Sequence, residues 1–234
     1  GHVSEQAREV GRSESDEIEE EEDTNASLPW MRNDEKLDAI HGAEYSQRQQ
    51  VAAKTIPCNI RKVFAFLVLH GEKFYEIYHE KMGEHDVKAG AWERFDGHWR
   101  RACSFTKALG YSIGPKQTRV DENCYLSLTK RGGCLLEVEG HNLDVPMGDT
   151  FRVESYFEFV PSANGDTEAT ASVAVNFLSR NMFRSRIESG ALSDTVTPYT
   201  AFFNSLSHAV LEFASRLDKK RPKRGRRKNN IRDK

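Results

Sequence analysis

The sequence predicts an α+β fold in which a curved antiparallel sheet wraps around one long C-terminal helix. The sheet is predicted because successive segments from Ala91 to Leu178 alternate apolar and polar residues with period two, and turns rich in glycine or proline separate them. The helix is predicted by a single apolar stripe from Phe203 to Leu217, whose members recur every three or four residues. Two short helices precede the sheet.

Charge defines the boundaries of the folded part. The chain has 234 residues and a formal net charge of −2, but its charges are unevenly placed. Ser13–Asp23 carries eight acids and no base, whereas Lys219–Lys234 carries ten bases and one acid. Such like-charged, weakly apolar segments cannot bury a core. We therefore predict a disordered acidic lead-in at 1–50, a folded domain at 51–218 and a disordered basic tail at 219–234.

The domain is predicted to begin with a short edge strand at Lys54–Cys58, because the proline within it limits pairing. Asn59 is a good N-cap for a first helix that carries apolar residues at helical spacing and ends at Gly71. A second short helix is predicted to end at Gly83.

The strands are delimited by turn signals, of which Asp96-Gly97 is typical of a tight hairpin. Strands are predicted at 91–94, 97–109, 116–129 and 167–178, with two more inside 133–160. After the sheet, Asn181–Glu188 is predicted as a separate short helix broken at Gly190. Thr197-Pro198 is predicted as the N-cap and first residue of the long helix.

The hairpin at 133–160 shows the sheet pattern most clearly. Phe151, Phe157 and Phe159 share one face with other apolar residues, and glutamates occupy the opposite face, which is therefore predicted to face water. The link Asp144–Asp149 has turn chemistry, so its two aspartates are interpreted as turn residues. A sheet gripping one helix is wide, and one helix rarely fills it to normal packing density, so a residual cavity is expected in this helix-grip arrangement.

Enzyme and metal motifs are missing from the sequence. The four cysteines form no C-x-x-C pair, and buried thiols in a reducing compartment are the simplest interpretation. The histidines lack metal-binding spacing, and neither a G-x-S-x-G motif nor an evident Cys-His pair is present. No run is long and apolar enough to span a bilayer. We predict a non-enzymatic protein that needs no cofactor and no metal.

Several segments, in order along the chain, resemble the VASt domain. They are Phe105-Thr106-Lys107-Ala108-Leu109, Ile113-Gly114-Pro115-Lys116-Gln117-Thr118, Asp144-Val145-Pro146-Met147-Gly148-Asp149-Thr150-Phe151 and Phe183–Glu188. This family is related to the StAR lipid-transfer domains and includes the Lam/Ysp and Aster sterol transporters. The resemblance runs from about Lys54 to Leu217. It implies a StAR-like helix-grip fold with a hydrophobic cavity for one sterol. It also implies the cytosolic face of membranes, at endoplasmic-reticulum contact sites, within a larger membrane-anchored protein that commonly carries a GRAM domain.

The resemblance also implies ligand-binding residues and a mobile loop over the cavity mouth at Tyr111–Lys116. From the residues alone, an ordinary connection between strands is the better interpretation of this loop, and the phenylalanines are interpreted as core residues. A buried sterol hydroxyl needs a polar partner, for which Gln117, Tyr125 and Ser155 are candidates. The full set of lid and cavity candidates is Phe105, Tyr111, Ile113, Gly114, Pro115, Lys116, Gln117, Tyr125, Ser155 and Phe157.

The basic tail allows three interpretations: a nuclear or nucleic-acid signal, a solvated tail, or a tether to an anionic membrane surface. Aromatic residues at RNA-binding spacing are missing, which argues against nucleic acid. Beside a lipid-binding domain we favour the membrane. The residues predicted to bind it are Lys223, Arg224, Arg226, Arg227 and Lys228.

The leading functional hypothesis is a monomer that binds a sterol or related lipid and transfers it between membranes. One alternative is binding of a phospholipid instead of a sterol. Another is a protein-interaction or regulatory module whose grip is filled by its own side chains, and a more distant one is a cyclase-like enzyme on the same architecture. A cavity in the structure would separate the first from the filled module.

Overall fold

The computed structural model describes residues 47–110, 114–129 and 132–220. The predicted disorder of the lead-in before Gln47 and of the tail after Lys220 lies outside these residues. The elements in chain order are β1 (Gln49–Ile56), α1 (Ile60–Leu69), α2 (Gly71–Lys81), β2 (His85–Ala89), β3 (Glu93–Phe95), β4 (His98–Ala108), β5 (Gln117–Leu128), β6 (Cys134–Asn142), β7 (Phe151–Pro161), β8 (Thr167–Phe177) and α3 (Arg184–Lys220).

All strands pair antiparallel in one sheet of eight, in the order β1-β8-β7-β6-β5-β4-β2, with β3 paired to β4. β1, the first strand in the chain, pairs with β8, the last strand, and forms one edge of the sheet. Helix α3 packs on one face, which we call the inner face, where Phe203 contacts Phe157 and Phe159 at ring-centroid distances of 6.0 and 6.2 Å. The predicted α+β helix-grip fold is confirmed.

The two short helices, α1 and α2, follow the prediction except at one glycine. Asn59 caps α1, since its side-chain oxygen accepts a hydrogen bond from the Lys62 backbone N–H at 3.0 Å. Gly83 ends α2 with a φ of +80°. Gly71 was predicted to end α1, but α1 ends at Leu69 and Gly71 opens α2. Gly71 is not among the residues with positive φ, so it lacks the left-handed conformation of a helix-ending glycine.

Most strand predictions hold, with two departures. The first strand spans Gln49–Ile56 and not the predicted Lys54–Cys58, because its pairing with β8 starts at Gln49 and ends at Ile56, before Pro57. Asp96 and Gly97 have φ values of 45° and 80°, the two positive values that a tight hairpin turn of this type requires. Strand β2 was not predicted, because its residues are polar and mostly exposed and its pattern lacks apolar alternation. The side chain of Asp144 does not bond to the backbone of its own turn as expected: it accepts a hydrogen bond from the Arg119 backbone N–H at 2.8 Å and so joins the turn to β5.

The C-terminal helix is longer than predicted. The separate helix at Asn181–Glu188 and the start at Thr197-Pro198 are both wrong, because α3 runs continuously for 37 residues through Gly190 and Pro198. A proline inside a helix removes one backbone donor and crowds the preceding turn without necessarily ending the helix. The carbonyl of Pro198 accepts a hydrogen bond from the Tyr78 hydroxyl at 2.9 Å, which ties this turn to α2.

The outer face of the sheet is not the wet face that alternation predicted. At its centre Glu137, Glu154 and Tyr156 are only 1%, 2% and 3% exposed. The polar side chains alternate with apolar ones as expected, but these three are as little exposed as residues of the hydrophobic core.

The four cysteines are buried and free. Among the described residues, no helix has the length and apolar character needed to cross a membrane.

Candidate functional site

The space between the sheet and α3 has a filled half and an unfilled half. The second half of α3 is densely packed, with Phe203, Leu206 and Val210 at most 1% exposed. Aromatic rings from β7, α2 and α3 meet there. The Phe157 ring lies 4.8 Å from that of Phe202, and the Phe202 ring lies 5.5 Å from that of Phe74. This half of the grip holds an aromatic core.

The first half of α3 packs differently. No residue from Arg184 to Tyr199 is buried, although this segment is held to the inner face at both ends. The Arg184 guanidinium stacks 4.7 Å from the Phe177 ring, and the Tyr199 hydroxyl is hydrogen-bonded to Ser155. Between these contacts the segment spans about 22 Å at about 1.5 Å per residue.

The sheet beneath this segment is apolar and incompletely covered. On the inner face, Val153 and Val175 are paired neighbours on β7 and β8, between the row of Ser155 and the row of Phe177. Both valines are only half-buried, as is Val138 on β6, in contrast to Val173, which is 1% exposed. We call this region the inner gap: an apolar floor of half-buried valines beneath a helix segment in which no residue is buried.

One pair of hydroxyls borders the inner gap. Ser155, which is 3% exposed, bonds to Tyr199, whose ring lies 4.8 Å from that of Phe157. Burial raises the pKa of Tyr199, so its hydroxyl stays protonated and able to donate. The pair therefore offers both a donor and an acceptor beside an apolar wall.

A second polar cluster lies where α2 meets β5. The Tyr75 hydroxyl donates to Glu122 at 2.8 Å, and burial raises the pKa of the Glu122 carboxyl. His79, which is bonded to Glu84, stacks 4.3 Å from the Phe105 ring. This corner is polar and acidic, unlike the inner gap.

Arg101 is buried at the same corner, only 7% exposed. Its guanidinium lies 4.4 Å from the Trp92 ring and 5.3 Å from the Tyr75 ring. Within the described residues, its Nε and Nη1 have no hydrogen-bond partner. The aromatic faces offset part of the cost of burying this charge.

The structure separates the predicted ligand residues into three groups. Phe105, Ser155 and Phe157 are buried on the inner face. The expectation that Tyr125 and Gln117 face the cavity is corrected. On β5 both residues alternate with buried residues of the inner face, so both lie on the outer side of the strand. Near the predicted lid, Gly114 and Lys116 are exposed, Pro115 is half-buried, and Gly114 has a φ of +105°. The remaining candidates lie outside the described residues: Tyr111, Ile113, Lys223, Arg224, Arg226, Arg227 and Lys228.

The connection from β8 to α3 exposes apolar side chains at the mouth of the gap. Leu178, Met182 and Phe183 are 56%, 84% and 50% exposed. They follow directly after Phe177 and are interspersed with arginines. We call these three residues the mouth cluster.

A groove of about 540 Å³ lies elsewhere, between the start of α1 and the last turns of α3. Its lining includes Cys58, Lys62, Leu211 and Asp218, and an ion pair between Lys62 and Asp218 at 3.0 Å crosses it. It is open and partly polar, and it lies outside the interior of the grip.

Solved structures that resemble this chain share little sequence with it. TTHA0849 from Thermus thermophilus matches with 14% identity and a TM-score of 0.46, covering 70% of this chain and 98% of that one. Norcoclaurine synthase from Thalictrum flavum, in complex with dopamine and hydroxybenzaldehyde, matches with 10% identity and a TM-score of 0.43, covering 76% of this chain and 97% of that one. A search among curated proteins found no significant match.

The family match is more informative. Residues 50–194 match the sequence profile of the VAD1 Analog of StAR-related lipid transfer domain, abbreviated VASt. The match covers most of the folded domain, including the whole sheet and the first turns of α3. This chain belongs to the VASt family of StAR-related, lipid-binding domains.

Proposed function

We propose that this domain binds one sterol in the inner gap and transfers it between membranes without chemical change. The observation that carries the proposal is the half-filled grip. The aromatic core stabilises the fold at one end, while the valine floor at the other end stays incompletely covered. Leaving an apolar surface under an unpacked helix segment forfeits burial worth about 25 cal/mol per Å². A flat, rigid, apolar ligand would recover that free energy.

The polar groups favour a ligand with one hydroxyl. A hydroxyl buried without a partner costs roughly 1–3 kcal/mol. Ser155 and Tyr199 lie at the inner end of the gap, so a sterol hydroxyl placed there would join an existing hydrogen bond. Its rings would then contact Val153 and Val175 and extend toward Phe177.

Arg101 favours a second candidate, an anionic lipid. A lipid phosphate or carboxylate would supply partners for the guanidinium nitrogens that lack them. The packing opposes this candidate, because Nη1 is enclosed: a Cβ placed on Gly71 would lie 3.6 Å from it and 3.5 Å from Trp92 Nε1. A headgroup could reach Nη1 only if the corner between α1 and α2 moved. Glu122 on the neighbouring strand also disfavours an anion there.

The mouth cluster supports a role at membranes. Exposed apolar side chains with adjacent arginines suit an anionic lipid interface, where the apolar groups insert and each cation contributes about 1 kcal/mol. We propose that the domain docks through this cluster at the cytosolic face of membranes, at endoplasmic-reticulum contact sites. The predicted tethers to the membrane surface remain Lys223, Arg224, Arg226, Arg227 and Lys228. The loop Tyr111–Lys116 stays a predicted lid, and glycine at position 114 adopts its left-handed φ without strain.

The test is a titration of the purified protein with a fluorescent sterol, followed by competition. We expect saturable binding of one sterol per chain, displacement by unlabelled sterol and no displacement by an anionic phospholipid. Displacement by the phospholipid, together with loss of that effect in Arg101→Gln, would establish the second candidate instead.

A further inference from the structure

The floor of the inner gap continues sideways from β7 to a carboxyl group on β5. Strand pairing places Val153 opposite Gly140 on β6, and Gly140 opposite Glu122 on β5. Directly opposed residues of antiparallel strands point to the same face of a sheet. Glu122 and Gly140 therefore lie in one row with Val153 on the inner face. Glu122 is half-buried, as the valines of the floor are.

Gly140 leaves the position between Val153 and Glu122 open. Within the described residues, and apart from its neighbours in the chain, a Cβ placed on Gly140 would have a single atom within 4 Å, the Val153 carbonyl oxygen at 3.5 Å. No described side chain therefore fills the space directly above this glycine. A glycine inside a strand weakens the strand and often marks a place where a ligand approaches the backbone closely.

The Glu122 carboxyl has a hydrogen-bond partner on one oxygen only. Its Oε2 accepts from the Tyr75 hydroxyl at 2.8 Å, and the described residues supply no hydrogen-bond donor to Oε1. The carboxyl also lies near the hydroxyl pair that borders the gap, since burial raises the pKa of Tyr199 and the charge of Glu122 raises it further. Glu122 therefore faces the same interior as the Ser155–Tyr199 pair.

A purely apolar ligand surface beside this carboxyl would be unfavourable. It would keep water from Oε1 without replacing the lost hydrogen bond, and a buried polar atom without a partner weakens binding. A ligand hydroxyl avoids this loss, because it can donate to an ionised carboxylate and accept from a protonated carboxyl. A hydroxyl is therefore the ligand group that satisfies Glu122 in either protonation state.

We propose that Glu122 is a second polar anchor of the inner gap and selects sterols that carry a second hydroxyl on the flank of the ring system. This assignment rests on the proposed function, because it takes the first hydroxyl to lie at Ser155 and Tyr199. The row of Glu122 lies two residues along the sheet from the row of Ser155, which is about 7 Å. The 3- and 7-hydroxyls of a sterol have a comparable spacing. The bare backbone at Gly140 lets the ring system come close to the carboxyl.

The test compares cholesterol, 25-hydroxycholesterol and both epimers of 7-hydroxycholesterol as competitors of a fluorescent sterol. The 7- and 25-hydroxy compounds are isomers, and the second hydroxyl of 25-hydroxycholesterol lies on the tail. We expect one 7-hydroxy epimer to compete about tenfold better than cholesterol and the 25-hydroxy isomer. Equal competition by all of them would overturn the second anchor and leave sterol binding intact. No competition by any of them would overturn the proposed function and this assignment together.

Two variants test whether Glu122 causes the preference. Tyr75→Phe combined with Glu122→Met removes both ends of the buried hydrogen bond, so neither group is left without its partner. Gly140→Val keeps that bond, and its thermal unfolding midpoint should not fall, because the added Cβ meets no clash and valine suits a strand. The valine side chain should separate the ligand from Glu122. Both variants should lose the preference for the 7-hydroxy epimer, and a preference that survives in either folded variant would overturn the proposal.

Discussion

The hydroxyl groups of Ser155 and Tyr199 are hydrogen-bonded to each other, and this bond joins β7 to α3 at the boundary between the packed and the unpacked half of the grip. On one side of it lie the aromatic rings of the core. On the other side lie Val153 and Val175, which are only half-buried. This position makes the pair the natural anchor for the polar end of an otherwise apolar ligand.

Tyr199→Phe should weaken sterol binding by about threefold to tenfold, because one net hydrogen bond contributes about 0.5–1.5 kcal/mol. Binding of a sterane that lacks the hydroxyl should not change. The measurement is a fluorescence titration with both ligands. Tyr125→Phe serves as control, since Tyr125 lies on the outer side of β5. Equal losses for both ligands would mean that Tyr199 only shapes the gap.

Val175→Phe tests whether the gap is empty, and Val173→Phe is its matched control on the same strand and face. Val173 is 1% exposed, so a larger side chain there should overpack the core and cost about 1–3 kcal/mol of stability. At the half-buried Val175 the larger ring should fit with little loss of stability but block the sterol. Thermal unfolding and sterol titration give the two readouts. Equal destabilisation by both substitutions would indicate a filled grip and favour an interaction module.

Met182→Asp combined with Phe183→Asp should slow sterol transfer between liposomes while leaving sterol affinity in solution unchanged. The reason is that a carboxylate at the mouth cluster opposes insertion into an anionic interface. Ile77→Asp is the control, because Ile77 is a comparably exposed apolar residue, at 52%, on α2. The same transfer rate in the double variant and in the control would exclude the mouth cluster as the docking surface.

Glu122→Gln should raise stability more at neutral pH than in acid. Burial holds the pKa of Glu122 above its unfolded value, so the native state binds more protons than the unfolded state across the interval between the two values. This contribution to stability is present below the unfolded pKa and is lost as the pH rises through the folded pKa. Glutamine does not ionise, so the variant does not lose this stability as the pH rises. Its side-chain oxygen can still accept a hydrogen bond from the Tyr75 hydroxyl. Urea unfolding from about pH 4 to 8 measures the difference, and a gain that shrinks with rising pH would contradict the burial argument.

The sequence was sufficient where local chemistry decides the structure. Asn59 is a helix cap and Asp96-Gly97 a hairpin turn in any tertiary context. The inner face was also predictable, because Phe157 and Phe159 alternate with polar residues and pack against α3 as expected.

Tertiary contacts decided the rest. The first half of α3 was missed because the positions four and eight residues before Tyr199 are Thr195 and Ala191, too weakly apolar to extend the stripe. The proline that suggested a helix start lies inside α3, and its carbonyl accepts a hydrogen bond from the Tyr78 hydroxyl. Tyr199 itself was recoverable, since it lies four residues before Phe203 on the same helical face. The burial of Glu137 and Glu154 on the outer face was not recoverable, because glutamates that alternate with apolar residues predict a face exposed to solvent.

Photolabelling with a sterol that carries a diazirine on its ring system tests directly whether the inner gap is the sterol site. Labels should map to Val153, Val175 and the α3 segment 184–199, and Val175→Phe should remove them. Labels concentrated instead on Cys58, Lys62 and Leu211, in the groove beside α1, would contradict the assignment of the inner gap as the sterol site.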